Sequence, residues 1–586
     1  MSEGKPAMLR SCTLVLLLLG LTLPLAAQQV APEVYTLENG MKFLLLPRDT
    51  QPNVIAVGWA ARVGSVNERP GITGISHFFE HMMFKGTTTI GTSDADRDGM
   101  YIREQETVRS KLRATHLDQQ YERWKRGEIA DPWDQANDTP EMSDMRARLR
   151  EIQESQKKVI RKNEFDEIYT RLGASGTNAF TSHDLTFYIN NVPSNKLELW
   201  AWMESDRLQD SVFREFYQER DVVHEERRMR TESTPTGIYQ EQFDAMFWQS
   251  SPYSWPVIGW TTDLNSYTRE QAQDYFETYY SPNNLVGVIV GDFDFDEAYS
   301  LIDRYFGRLE RGEEPPRVVT LEMPQLAEKR MNVECDCPPQ VEVRYHAVPF
   351  GHRDEPALEV MAEILNGVTG RLRKSLIEEQ RLATSARVIV DSRKYAGSVG
   401  FSGECQAGVD PEKLEEAWYG ELEKIQSEPV SERELQKIKN QVLASSYRRL
   451  ADNFSLMIQL GYYEALGDWE YINEFARQLT EVTSEDIQRV AGSYFDPSDR
   501  NVGIYRRKAS GGGVAATDPL ERFAPEPRAM VRQYLTFLPQ MPLEQVEEMV
   551  RKMESQVAEA PPDFKIAIEF MIEKSRERLS AAEEEN

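Results

Sequence analysis

The chain is poor in cysteine and histidine, with only 4 Cys and 7 His in 586 residues. Cys12 falls in the leading segment, which leaves Cys335, Cys337 and Cys405. So odd and sparse a set excludes a disulfide framework. Cys335 and Cys337 lack the second pair that a thiolate zinc site needs, so they read as strand-edge thiols. One disulfide involving Cys405 is compatible with an oxidising compartment. Positive charge is also in deficit: 68 Lys and Arg stand against 96 Asp and Glu, a net −28. A polyanion repels phosphate backbones, and no basic groove is evident along the sequence, which argues against nucleic acid as a partner. Apolar runs long enough to span a membrane, about 20 residues, are absent too. The longest, Leu14 to Leu25, follows Lys5 and Arg10 and ends in Ala26 and Ala27. Positive, apolar and small residues in that order read as a secretory signal peptide over residues 1–27, an uncleaved N-terminal anchor being the alternative. The expectation is an exported chain, periplasmic in a bacterium, with no stable membrane span after cleavage.

What is present is enough for more than one core. A chain of 586 residues with 40 % apolar and 28 % charged residues is globular and multidomain. Asn39-Gly40 between apolar runs reads as a hairpin, and Val54 to Ala61 as a further strand. Residues Ile75 to Phe84 are helical in character, so strands and helices mix in an α+β layer structure. An internal echo is visible as well. Thr268 and Thr483 each lie 14 positions before a proline, Pro282 and Pro497, and an aromatic pair lies just before each proline. Both threonines read as helix N-caps, with Gln271 and Asp486 in the first turn, and strands follow from Leu285 and Asn501. Two similar helix-turn-strand units imply a duplicated domain. Residues 94–163 are dense in charge and read as a solvated helical insertion. Pro315-Pro316 marks a linker, and Gly511 to Gly513 a joint before a helical tail.

The chemistry centres on His77, Glu80 and His81. On a helix, i and i+4 share a face, so both imidazoles can reach one zinc ion, and Glu80 stands where a base for water is needed. This is the inverted form of the His-Glu-x-x-His motif. Phe78 and Phe79 turn the other way, toward the core. A catalytic site needs a third ligand, and Glu226 in the segment from Glu219 is the best candidate. Glu219 lies seven positions earlier, two turns away on the same face, and can support the site by hydrogen bonding. His224 and Glu225 point elsewhere.

With Gly74, His77, Glu80 and His81, with Gly176 to Thr181, with Glu219 to Glu226, and with Trp255 to Trp260, the chain resembles the pitrilysin (insulinase, mitochondrial-processing-peptidase-like) zinc proteases over residues 33–507. The resemblance implies His77, His81 and Glu226 as ligands of one Zn2+ per chain, Glu80 as general base and Glu219 as supporting carboxylate. It implies Asn178, Ala179 and Phe180 as the edge strand to which a peptide adds. It implies two similar sheet-plus-helix domains in a clamshell, a zinc-bearing domain over 33–310 and an inactive homologous domain over 318–507; the insertion lies in the first, and the helical C-terminal extension over 514–586 lies outside the resemblance. Two departures stand out. His81 and Glu226 lie 226 − 81 = 145 positions apart, an excess that the insertion accounts for. Ile377 and Thr384 occupy the places of an Arg and a Tyr that contact substrate and the developing oxyanion. The expectation is therefore an exported zinc endopeptidase acting on unfolded peptides as the zinc-bearing member of a heterodimer, whose homologous partner supplies the Arg/Tyr pair. A non-catalytic scaffold or binding subunit is the alternative.

Overall fold

The computed structural model describes residues 29–508, 543–557 and 562–584, with scattered positions between 527 and 541. The segments expected to be a signal peptide (residues 1–27) and a flexible joint (Gly511–Gly513) lie outside the described residues. The chain divides into two compact units, Met1–Arg507 and Lys508–Asn586.

Two sheets build the first unit. β1 (Glu33–Thr36), β2 (Lys42–Pro47), β3 (Val54–Ala61), β4 (Ser175–Thr181), β5 (Thr186–Pro193) and β6 (Leu285–Gly291) are ordered β1-β2-β6-β3-β5-β4. β7 (Lys329–Cys335), β8 (Gln340–Ala347), β9 (Ala383–Ser392), β10 (Gly397–Cys405) and β11 (Asn501–Arg507) are ordered β7-β11-β8-β10-β9. Without β1, the two sheets superpose in order and in sense. β2 with β6 and β7 with β11 are the parallel pairs, and every other pair is antiparallel. The duplication inferred from the threonine echo is thus written in the strand pairing. Thr268 and Thr483 both form capping boxes, with Gln271 and Asp486.

The helices of the first unit include α1 (Ile75–Met82), α2 (Ala95–Thr115), α3 (Pro140–Gln156), α4 (Phe216–Arg227), α5 (Arg269–Tyr279), α6 (Asn453–Leu466) and α7 (Ser484–Tyr494). The first sheet is covered on both faces, which is why β6 reads as an unbroken apolar run. Phe43, Val57, Trp59 and Ile289 face the core that holds α1. Leu44, Ala56, Val288 and Val290 face α6, a helix from the second half, through Leu456, Met457 and Leu460. Gly461 lets that helix close on the sheet: a Cβ there would stand 2.4 Å from the Phe187 ring. The result is an α+β clamshell of two similar halves.

The insertion is more than a solvated surface. α2 and α3 share a small core of Leu112, Met142 and Leu149. A buried polar chain runs through Gln105, Gln156 and Asp98, and Asp98 accepts from Arg214 at 2.7 Å. That bond fastens the insertion to Arg214, two residues before α4.

The cysteine expectation is corrected. Cys335 and Cys337 are joined by a disulfide and Cys405 is free and buried. Cys335 ends β7 and the chain turns at Asp336, so the two thiols meet, whereas Cys405 packs in the second sheet's core. The second unit is helical as expected: α8 (Leu543–Gln556) and α9 (Pro562–Glu584) pack through Val550, Met553, Phe570 and Met571.

Candidate metal centre

α1 is set by its N-terminus. Gly74 adopts φ +88°, and a Cβ there would lie 2.4 Å from the Ile258 carbonyl oxygen, so the Trp255–Trp260 loop can pack against it only with glycine. Glu68 takes the role of the missing cap. It accepts from the Gly74 and Ser76 amides at 2.7 and 2.8 Å, and burial pushes its pKa up to about 8 although those two bonds pull it down. Phe78 and Phe79 are fully buried. This fixes the opposite face of the helix, where the His77 and His81 rings stand 4.9 Å apart.

Buried arginines hold α4 at both ends. Before it, Arg214 donates to the Lys85, Thr87 and Ile90 carbonyls of the loop that leaves α1. At its end, Arg227 donates to Glu241, Thr261 and the Gly259 carbonyl. The two helices are thereby locked face to face, and Glu219 and Glu226 both turn toward the imidazoles.

Glu226 Oε2 lies 3.6 Å from His77 Nε2 and 3.4 Å from His81 Nε2. All three ligand atoms fall within 4.8 Å of one another, the group of this kind found among the described residues. Ligand atoms about 2.0–2.2 Å from a tetrahedral zinc stand roughly 3.3–3.6 Å apart. Glu226 Oε2 is buried and has no hydrogen-bond partner, although it is aimed between two imidazole nitrogens. Such an orphaned acceptor within a His2Glu set fits a zinc ion. Arg230 occupies Glu226 Oε1 at 2.6 Å and so leaves Oε2 for the metal.

Glu219 Oε1 lies 2.9 Å from His81 Nδ1, and Lys85 pairs with Glu219 Oε2. A proton on Nδ1 directed at Glu219 would leave the His81 Nε2 lone pair facing Glu226, as a metal ligand needs. Glu80 is held by Thr181, whose hydroxyl donates to Oε2 at 2.6 Å. Burial raises the Glu80 pKa, and the Thr181 bond opposes that rise. Thr181 ends β4, the edge strand, whose other side pairs with no strand among the described residues. Asn178 projects into a cavity of about 600 Å³ that Glu80, His81 and Lys85 also line. Ala179 is buried and Phe180 packs on Phe187.

The structure therefore gathers His77, Glu80, His81, Glu219, Glu226 and Asn178 in one place. His224 and Glu225 lie off it: the His224 Nε2 is buried without a partner and Glu225 pairs with Arg228. Lys85, Thr181 and Arg230 escaped the sequence reading. Lys85 was visible as the residue four after His81, and Arg230 as the residue four after Glu226. Thr181 closes the Gly176–Thr181 motif, but nothing local ties its hydroxyl to Glu80. In the second half, Ile377 packs against the core and Thr384 donates to Glu404 Oε1 at 2.9 Å.

Residues 266–442 match the Peptidase M16 inactive domain, and residues 44–97 match Insulinase (Peptidase family M16). The chain is 26 % identical over 491 residues to a protein called zinc protease PqqE from Helicobacter pylori, covering 82 % of this chain and 94 % of that one. A crystal structure of a protease from Helicobacter pylori shares the fold with a TM-score of 0.66 at 22 % identity, over 81 % of this chain and 99 % of that one. The crystal structure of the periplasmic protease PqqL from Escherichia coli shares it with a TM-score of 0.60 at 16 % identity, over 82 % of this chain and 48 % of that one. Segments of both sheet halves and the motif helix thus match models of one family, and the chain resembles the pitrilysin/insulinase proteases, peptidase family M16.

Proposed function

We propose that the chain is an exported zinc metalloendopeptidase that cleaves unfolded peptides, with a homologous partner completing its site. The observation that carries this reading is the buried, unpartnered Glu226 Oε2 between His77 Nε2 and His81 Nε2, with Glu80 beside them. His77, His81 and Glu226 would hold one zinc ion, which supplies Lewis acidity toward water and the scissile carbonyl. The free edge of β4 at Asn178–Phe180 would take an extended peptide by main-chain hydrogen bonds. Glu80 accepts the proton of the attacking water and delivers it to the leaving amine as the C–N bond breaks. Thr181 keeps the Glu80 carboxylate turned toward that strand, and Glu219 with Lys85 fixes the His81 ring.

Ile377 has no donor and the Thr384 hydroxyl is engaged by Glu404, so neither can stabilise an oxyanion. A lost oxyanion donor costs about 10²–10³ in rate. We assign that role to the Arg/Tyr pair of a homologous subunit. Export rests on Leu14 to Leu25 with its flanks. It also fits the lack, among the described residues, of any helix long and apolar enough to cross a membrane. The test is cleavage of quenched fluorescent unfolded peptides by the purified chain, alone, with chelator, and mixed with its co-purifying homologue. Chelator-sensitive cleavage that rises steeply with the homologue is expected. Full activity from a strictly monomeric preparation would refute the partner. No cleavage in any mixture, with zinc bound, would favour the scaffold alternative.

A further inference from the structure

A second cavity, of about 120 Å³, lies between the insertion and the back of α4. Arg109 and Arg113 of α2, Arg146 of α3 and Arg220 of α4 line it, against two carboxylates, Glu106 and Asp221. Arg146 is neutralised by Asp138 through Nε and Nη2, and Arg220 has only a 4.0 Å ion pair with Asp221, while Arg109 and Arg113 have no ion pair among the described residues. Glu106 is engaged by the Tyr217 hydroxyl at 2.9 Å. Asp221 is 71 % exposed and 4.0 Å from Arg220. The sequence hides this basic cluster because its members come from three helices separated by up to 111 positions (220 − 109).

The unpaired state of these guanidinium groups is what points to a ligand. Arg109 makes no hydrogen bond or ion pair with any described residue; its guanidinium stacks on the Tyr217 ring at 4.4 Å and its Nε is buried. Burial, and then the nearby Arg220 charge, pushes its pKa down to about 10. Arg220 is 8 % exposed; Nη1 donates to the Asn265 carbonyl at 2.9 Å while Nε is buried without a partner. Arg113 spends only its Nε, on the Ser266 carbonyl at 2.7 Å. Beside the cavity, Arg269 keeps all three guanidinium nitrogens buried without a hydrogen bond, its Nε 4.0 Å from Glu106 Oε2. Buried guanidinium nitrogens without acceptors are costly, and those of Arg109, Arg220 and Arg269 leave a demand for negative charge that Asp221 and Glu106, 4.0 Å from Arg220 and Arg269, do not meet by hydrogen bonding. Guanidinium forks match the paired oxygens of oxyanions. The volume equals roughly four waters, room for a phosphate-sized group.

We propose that this cavity is a binding site for a small tetrahedral oxyanion of the phosphate class, held by Arg109, Arg113 and Arg220. The anion joins the insertion to α4 at Arg220, the residue next to Glu219, so the insertion acts as the outer wall of an anion site braced against the metal-ligand helix. The inference stands apart from peptidase activity.

Equilibrium dialysis of the mature chain with inorganic phosphate, at constant ionic strength in chloride, tests it. One phosphate per chain is expected, with thermal unfolding shifted upward saturably by phosphate and not by matched chloride. Arg109→Gln should weaken binding by about tenfold or more, while Arg148→Gln on the exposed face of the same insertion leaves it unchanged. If Arg109→Gln does not fold, the saturable phosphate shift of the natural chain still decides. Absence of saturation up to about 10 mM, equal binding by Arg109→Gln, or acetate binding as well as phosphate would each overturn the proposal.

Discussion

Replacing Glu219 by Gln removes a charge from the carboxylate that orients His81 while keeping its shape. In the structure Glu219 makes two contacts that matter, Oε1 with His81 Nδ1 at 2.9 Å and Oε2 with Lys85. The Gln oxygen can still accept from Nδ1–H, but it cannot polarise the imidazole as a carboxylate does. Lys85 also loses its ion pair, so nothing fixes which amide atom faces the ring. Outer partners of this kind are worth about 10–100-fold in metal affinity, or roughly 1.4–2.7 kcal/mol. Competition for zinc against a chromophoric chelator, read as a dissociation constant, measures the loss. Glu219→Gln should fall near the lower end and Glu219→Ala near the upper end, with far-UV circular dichroism unchanged in both. Zinc affinity within twofold of the natural chain in both variants would refute the claim that Glu219 acts through His81.

Other expectations follow from single contacts. Thr181→Val deletes the hydroxyl that donates to Glu80 at 2.6 Å; a hydrogen bond to a charged group is worth about 1.5–3 kcal/mol, so kcat should fall about ten- to a hundredfold while zinc content stays at one per chain. Arg214→Met leaves Asp98 buried without its partner and frees three carbonyls; denaturant unfolding should report a loss of about 3–5 kcal/mol. Gly74→Ala forces a Cβ at φ +88° to within 2.4 Å of the Ile258 oxygen; a loss of at least about 1–3 kcal/mol is expected, read as a lower Tm and weaker zinc retention. Chelation should lower the Tm, and re-added zinc at about 100 times its dissociation constant should restore about 2.7 kcal/mol.

Much of this arrangement was legible in the residues because it follows local periodicity. The face shared by His77 and His81, the pairing of Glu219 with Glu226 two turns apart, and the capping boxes at Thr268 and Thr483 are all properties of one helix at a time. The strand at Val54–Ala61 was legible for the same reason, its apolar run being buried from Ile55 to Ala61. What escaped depends on contacts between distant segments. Thr181 meets Glu80 across 101 positions. The cap of α1 comes from Glu68, outside the usual capping position. The insertion looked like a solvated surface because charge dominates its composition, yet Asp98 and Arg214 are buried together across 116 positions. Cysteine spacing misled for a simpler reason: a turn at Asp336 brings two strand-end thiols together, and nothing in the count of cysteines reveals a turn.

The most direct test of the central claim pairs zinc content with peptide cleavage in two variants of the mature chain. Glu80→Gln should keep one zinc per chain and lose cleavage by several orders of magnitude, because only the base is gone. His77→Ala should lose both zinc and cleavage. Cleavage that persists in Glu80→Gln, or zinc that stays stoichiometric in His77→Ala, would contradict the account.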